Sequence, residues 1–150
     1  MSTYYFRANV ASLIVKGDQV LAFQRRDYTD NWQCPQGGLD VGEEIIPAMW
    51  REVAEETGLS ENDLELKAEY PDWLAYDYPN RERFGDCIGQ TQKWFLLEFV
   101  GDAENITLDQ HEFMAWKWMS FAELQAAVPD FKHSVYEKLG EWLKALTAHN

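Results

Sequence analysis

Glu52, Glu55 and Glu56 stand at i, i+3 and i+4 of a stretch that reads as a helix from Ile46 to Thr57. At about 100° per residue, their carboxylates share one arc of about 100°. Held roughly 6 Å apart, they repel by about 3 kcal/mol per pair at an effective dielectric near 20. Something must offset that repulsion, and a hard divalent cation with all-oxygen ligands fits best, Mg²⁺ or Mn²⁺. Such an ion bridges phosphate oxygens and lowers the pKa of bound water, which is what hydrolysis of a pyrophosphate needs. Taken alone, E-x-x-E-E ordinarily marks a solvated helix face. Its surroundings change that reading.

Gly37, Glu43, Arg51, Glu52, Glu55, Glu56 and Gly58 fill the pattern G-x5-E-x7-R-E-U-x-E-E-x-G-U, where U is aliphatic. A chance match in a chain of this length has odds on the order of one in ten million. Gly37 and Gly38 suit a loop that needs unusual backbone angles or close approach to a ligand. Pro47 suits the first helical turn and Gly58 the residue just past its end. Ile46, Trp50, Val53 and Ala54 gather on another side of the helix, able to pack on a core. Arg51, four residues before Glu55, can orient a carboxylate by a bidentate contact. The pattern resembles a Nudix box, the signature of hydrolases that cleave nucleoside diphosphates linked to another moiety.

The elements that must hold this motif are legible around it. Ala8–Val15 and Val20–Gln24 read as strands joined by a turn at Lys16-Gly-Asp-Gln19, and Asn31–Pro35 as a short extended approach to the box. Ser60-Glu-Asn-Asp63 reads as a turn, and Leu64–Tyr70 and Trp73–Tyr76 as strands. Lys93–Val100 is strongly apolar and reads as a central strand, with Phe113–Met119 as another. Ser120-Phe-Ala-Glu123 is a capping box opening a short helix. Val135, Leu139, Trp142, Leu143 and Leu146 form the apolar stripe of a last helix. Strands and helices in this order give an α+β class, a mixed sheet between helical layers. The resemblance implies the same: a Nudix fold, an α/β/α sandwich over nearly the whole chain.

At 150 residues and 46% hydrophobic content, one globular domain over 1–150 is expected. Cys34 and Cys87, like His111, His133 and His149, lack metal-binding spacing. No apolar run approaches the roughly 18 residues of a membrane span, and Met1–Arg7 does not read as a signal peptide, so a cytoplasmic protein with reduced thiols is expected. The net charge of −13 argues against a groove tracking a nucleic-acid backbone, and no DNA or membrane partner is expected. A ligand held by its phosphate end remains compatible with that charge. Nothing in the spacing specifies an oligomeric state.

Outside the box, Asn31–Gly38, Asp72–Pro79 and Cys87–Leu97 resemble the bacterial RNA pyrophosphohydrolases and the related dinucleoside polyphosphate hydrolases. That resemblance implies Mg²⁺-dependent removal of pyrophosphate from 5′-triphosphorylated RNA ends. Dinucleoside polyphosphates or nucleoside triphosphates are the alternative substrates, and a nucleotide-sensing module without turnover the alternative class. By resemblance, Glu52, Glu55, Glu56 and Glu112 are metal ligands or bases, with a backbone oxygen near Gln36-Gly37 completing the site. Glu56, Glu55 and Glu112 all stand as candidates for the general base, and Arg51 as their organiser. Arg7 and Arg26 match family arginines that touch phosphate. Tyr76 matches a tyrosine used in substrate binding and Phe131 a position that stacks on the first base, although Pro129 and Asp130 depart from the pattern. Tyr76, Tyr78, Arg81, Arg83 and Phe84 mix aromatic rings with cations, as a nucleotide-binding loop does.

Overall fold

In the computed structural model, which describes residues 3–79 and 85–148, eight strands form one sheet with helices on both faces. The chain runs β1 (Tyr5–Lys16), β2 (Gln19–Arg25), β3 (Trp32–Gln33), β4 (Gln36–Gly38), α1 (Ile45–Thr57), β5 (Leu64–Glu69), β6 (Leu74–Asp77), β7 (Cys87–Phe99), β8 (Phe113–Ser120), α2 (Phe121–Ala127) and α3 (His133–Ala148). The sheet is mixed: β1 and β7 pair in parallel, and every other pairing is antiparallel. The apolar strand expected at Lys93–Val100 is indeed interior, flanked by β1 on one edge and by β5 and β6 on the other. It begins earlier, at Cys87, because those two neighbours supply ladder partners to its polar first half.

Strand period sorts the core into two layers. Val10 and Ile14 of β1, with Phe95 and Leu97 of β7, meet Ala48, Met49 and Val53 of α1. Ala11 and Leu13, with Trp94 and Leu96, turn to the opposite face and meet Leu124 of α2 and Val135, Tyr136 and Leu139 of α3. A parallel pair buried on both faces favours apolar residues in consecutive positions, which explains the continuous buried runs in both strands, interrupted in β1 only by the small Ser12. This is the α/β/α sandwich that the sequence implied. The Ser120–Glu123 capping box closes in both directions and starts α2. Among the described residues, no helix is long and apolar enough to cross a membrane.

Candidate active site

Helix α1 ends at Gly58, whose φ of 75° is the left-handed conformation that glycine adopts without penalty. Its packed side differs from expectation. Ala48, Met49, Val53 and Thr57 are buried, whereas Ile46 is exposed, Ala54 is exposed and Trp50 only half-buried. At about 100° per residue, Glu52 and Glu56 fall between Ala48 and Val53, inside the packed arc, with Glu55 at its rim. Two acids therefore lie against the sheet, and Glu56 is only 4% exposed.

The sheet edge beneath them makes this possible. Gln36–Gly38, expected as a loop, is strand β4, paired antiparallel with Asn9, Val10 and Ala11 of β1. Neither glycine there has a positive φ. What the chain requires at these positions is space: a Cβ on Gly37 would collide with the Glu52 carboxylate, and one on Gly38 with the Arg7 guanidinium. The bare backbone at Gly37 thus receives the Glu52 carboxylate of α1, and that at Gly38 the Arg7 guanidinium of β1. The Gln36 backbone N–H donates to Glu56 Oε2 at 3.3 Å.

Arg51 organises the rim, meeting Glu55 as its spacing implied but gripping Glu43 more closely. Its fork grips Glu43, with Nε 2.7 Å from Oε2 and Nη2 2.8 Å from Oε1. Nη1 donates to Glu52 Oε1 at 2.8 Å and only at 3.3 Å to Glu55, while Nη2 also reaches the Gly38 carbonyl at 3.1 Å. The pattern's Glu43 thus has a structural meaning: it holds Arg51 in place, and the Arg51 hydrogen bonds bring its own carboxyl down to about 2. The Glu56 carboxyl is pushed well above the usual range, first by burial and then by the carboxylates of Glu112 and Glu52. Burial likewise raises Glu52, against the opposing Arg51, and raises Glu112, with Asp109 adding to it. Mutual repulsion, expected as the leading cause, comes second to desolvation because the acids sit on the packed side.

Glu112 reaches the site from the loop before β8. Arg26, expected to meet phosphate, is engaged with this loop: Nε donates to the Gln110 carbonyl at 2.7 Å and Nη2 to that of Phe113 at 3.5 Å. With Arg25, Asp27, Asp109, His111 and Glu112 it lines a recess of about 440 Å³. Arg26→Ala is therefore expected to weaken Mn²⁺ binding by roughly three- to tenfold, besides weakening a phosphate-bearing substrate, because a misplaced loop misplaces Glu112. Mn²⁺ titration of the variant checks this; unchanged metal affinity would return Arg26 to a purely phosphate-facing role.

Tyr76 and Phe131, far apart in sequence, meet with ring centroids 5.5 Å apart, and Tyr78 crosses Tyr76 edge-on at 6.1 Å. Beside the two rings lies a residue that sequence reasoning missed. Lys132 is buried, its Nζ 5.3 Å from the Tyr76 centroid and 5.9 Å from that of Phe131. Burial, then the nearby charge of Arg25, lowers its ammonium to about 8. Its adjacency to Phe131 is the one signal the sequence carries, a weak one because lysines are rarely buried. Arg81, Arg83 and Phe84 lie outside the described residues. A second recess, about 900 Å³ between the β1–β2 turn, α2 and α3, shares none of these residues.

The donor set suits a hard divalent cation, being all oxygen with three acids whose carboxyls burial and neighbouring acids push upward. Glu52, Glu55, Glu56, Glu112 and the Gln36–Gly37 backbone are the groups that would hold it. As they stand, no three His, Cys, Asp or Glu side chains among the described residues are drawn together tightly enough to grip an ion, since Arg51 draws Glu52 and Glu55 aside.

Comparison with known proteins identifies the family. The NUDIX domain family profile matches residues 5–143. RNA pyrophosphohydrolase of Ruthia magnifica subsp. Calyptogena magnifica is 40% identical, the match covering 94% of this chain and 81% of the relative. The RNA pyrophosphohydrolase of Francisella tularensis subsp. mediasiatica is 42% identical over 95% of this chain and 96% of its own. Among solved structures, the E. coli dihydroneopterin triphosphate pyrophosphohydrolase superposes with a TM-score of 0.74 at 25% identity, covering 91% of this chain and 96% of that one. The chain belongs to the Nudix family and is a hydrolase of phosphoanhydride bonds.

Proposed function

We propose that this protein removes pyrophosphate from 5′-triphosphorylated RNA ends in the cytoplasm, with Mg²⁺ as its metal. The observation that carries this reading is the adjacency of two unlike halves. The Gln36 backbone meets the buried Glu56 carboxylate of α1, while its side chain lies toward Tyr76, which packs with Phe131 and the buried Lys132. The relatives' shared name agrees with it. Water adds to phosphorus, the P–O bond of the anhydride breaks, and the products are a 5′-monophosphate end and pyrophosphate. Bound Mg²⁺ would activate the water and screen the phosphates. Arg51 holds Glu52, and the Glu43 fork holds Arg51. The water's proton goes to a carboxylate of raised proton affinity, Glu56 or Glu112. Phe131, only partly buried, offers a ring face to a base, backed by the buried Tyr76, and the buried Lys132 adds positive charge behind them.

A substrate panel tests this: triphosphorylated RNA, diadenosine tetraphosphate, nucleoside triphosphates and ADP-ribose, each with Mg²⁺ and with EDTA. The highest kcat/KM is expected on RNA, with turnover abolished by EDTA. Preference for diadenosine tetraphosphate would move the substrate to dinucleoside polyphosphates, and no turnover at all would leave a sensing module. The lowered Lys132 gives a pH signature. Its charge is present below about 8 and lost as pH rises through that value, so KM for RNA should rise above pH 8 while kcat changes little. In Lys132→Met that rise should vanish; a rise that persists would assign it to another group.

A further inference from the structure

Gln92 lies beneath the site at 1% exposure, yet its amide is fully engaged. Its Oε1 accepts from the Trp94 indole Nε1 at 3.1 Å. Its Nε2 donates to Asn9 Oδ1 at 3.1 Å and to Gln36 Oε1 at 2.6 Å. An indole N–H can only donate. That one constraint sets the direction of everything beyond it. The Gln92 oxygen must face Trp94, so its NH₂ faces Asn9 and Gln36, and Gln36 must turn its oxygen inward and its NH₂ outward. Outward lies the Tyr76 hydroxyl, near enough for the Gln36 side chain to act on it. The hydroxyl then donates to Gln90 Oε1 at 2.9 Å. The polarity chosen by Trp94 reaches Tyr76 without a reversal.

The strands make this run possible. Gln90, Gln92 and Trp94 alternate along β7 and so share one face. Asn9 of β1 is the register partner of Gln92, and Tyr76 of β6 that of Gln90. Gln36 belongs to both halves of the site, because its backbone N–H rests on Glu56 while its side chain lies toward Tyr76.

We propose that Gln92 is a positioning residue: the directed relay Trp94–Gln92–Gln36–Tyr76 fixes the carboxylate half of the site against the nucleotide half. The proposal rests on the functional reading above. An apolar side chain at position 92 would fill the same space but would not select one orientation for the Gln36 amide. A satisfied buried network does select it, since every alternative orientation leaves a donor facing a donor. Hydrolysis needs the anhydride delivered to the carboxylates at a set distance from the base, and misplacement of an ångström is costly.

A double-mutant cycle tests it. Gln92→Met keeps length and removes every polar contact, and Tyr76→Phe removes only the hydroxyl. With folding verified by melting, kcat/KM on triphosphorylated RNA should fall roughly tenfold in each single variant. The double variant should fall no further than the worse single, because either change opens the same relay. Losses that multiply in the double variant would overturn the proposal. So would a Gln92→Met protein that melts lower but turns over at the wild-type rate, which is what a merely structural glutamine predicts. A second readout needs no turnover: the Trp94 indole N–H resonance, assigned with Trp94→Phe, should shift in Gln36→Met and in Tyr76→Phe. An unmoved resonance sinks the relay. If wild-type protein hydrolyses no triphosphate, the functional reading falls and this resonance still decides the relay.

Discussion

Glu56→Gln is expected to lower kcat by about 10²- to 10⁴-fold while the melting temperature holds or rises. The sign of the stability change follows from position. Glu56 is 4% exposed and its charge is opposed first by burial and then by Glu112 and Glu52. A neutral amide of equal size removes that opposition and can still accept the Gln36 N–H through its oxygen. Activity and stability should therefore move in opposite directions, as they do where a fold holds charge for chemistry. Steady-state kinetics with Mg²⁺ and thermal melting of the metal-free protein measure both. A Glu56→Gln protein that melts several degrees lower with turnover intact would make this residue structural.

Gly37→Ala is expected to cost roughly 10²-fold in kcat with the fold intact. Position 37 lies in an extended strand without a positive φ, so alanine meets no backbone strain there. The added methyl instead occupies the place of the Glu52 carboxylate. That carboxylate ends a flexible side chain, so it can swing aside at little cost in stability, and in doing so leaves the space over position 37. Mn²⁺ affinity should fall along with kcat. Wild-type metal binding in Gly37→Ala would show that Glu52 is not a ligand.

The three glutamates, their helix and the glycine that ends it were readable because each rests on local spacing or local backbone geometry. The strands were readable where apolar residues ran together, as in Ala8–Val15 and Lys93–Val100. The packed side of α1 was not, because Ile46, Trp50 and Ala54 draw an apolar stripe that the tertiary fold leaves partly in solvent. The space over Gly37 that accepts Glu52, and the Gln36 N–H that meets Glu56, belong to another strand, and no helical periodicity can announce them. Strand β4 has three residues, two of them glycine, too few for any alternation to show. Arg51 found Glu43 through the bend of the chain before α1, whereas spacing alone pointed to Glu55. Lys132 escaped notice because its environment is assembled from Tyr76 and Phe131, which sequence separates by 55 positions.

The parallel pairing of β1 with β7 has a consequence for how this molecule comes into being. Asn9 and Gln92 are 83 positions apart, and Arg26 donates to a carbonyl 84 positions away. At about 5–20 residues per second of synthesis, β1 emerges several seconds before the strand that flanks it. During that wait a nascent strand carrying Val10–Val15 has an open edge, a template for association with another chain. The acidic composition of the whole chain opposes such encounters by repulsion between nascent copies. High salt during refolding should therefore favour aggregation over recovery, even though it leaves the finished sheet untouched.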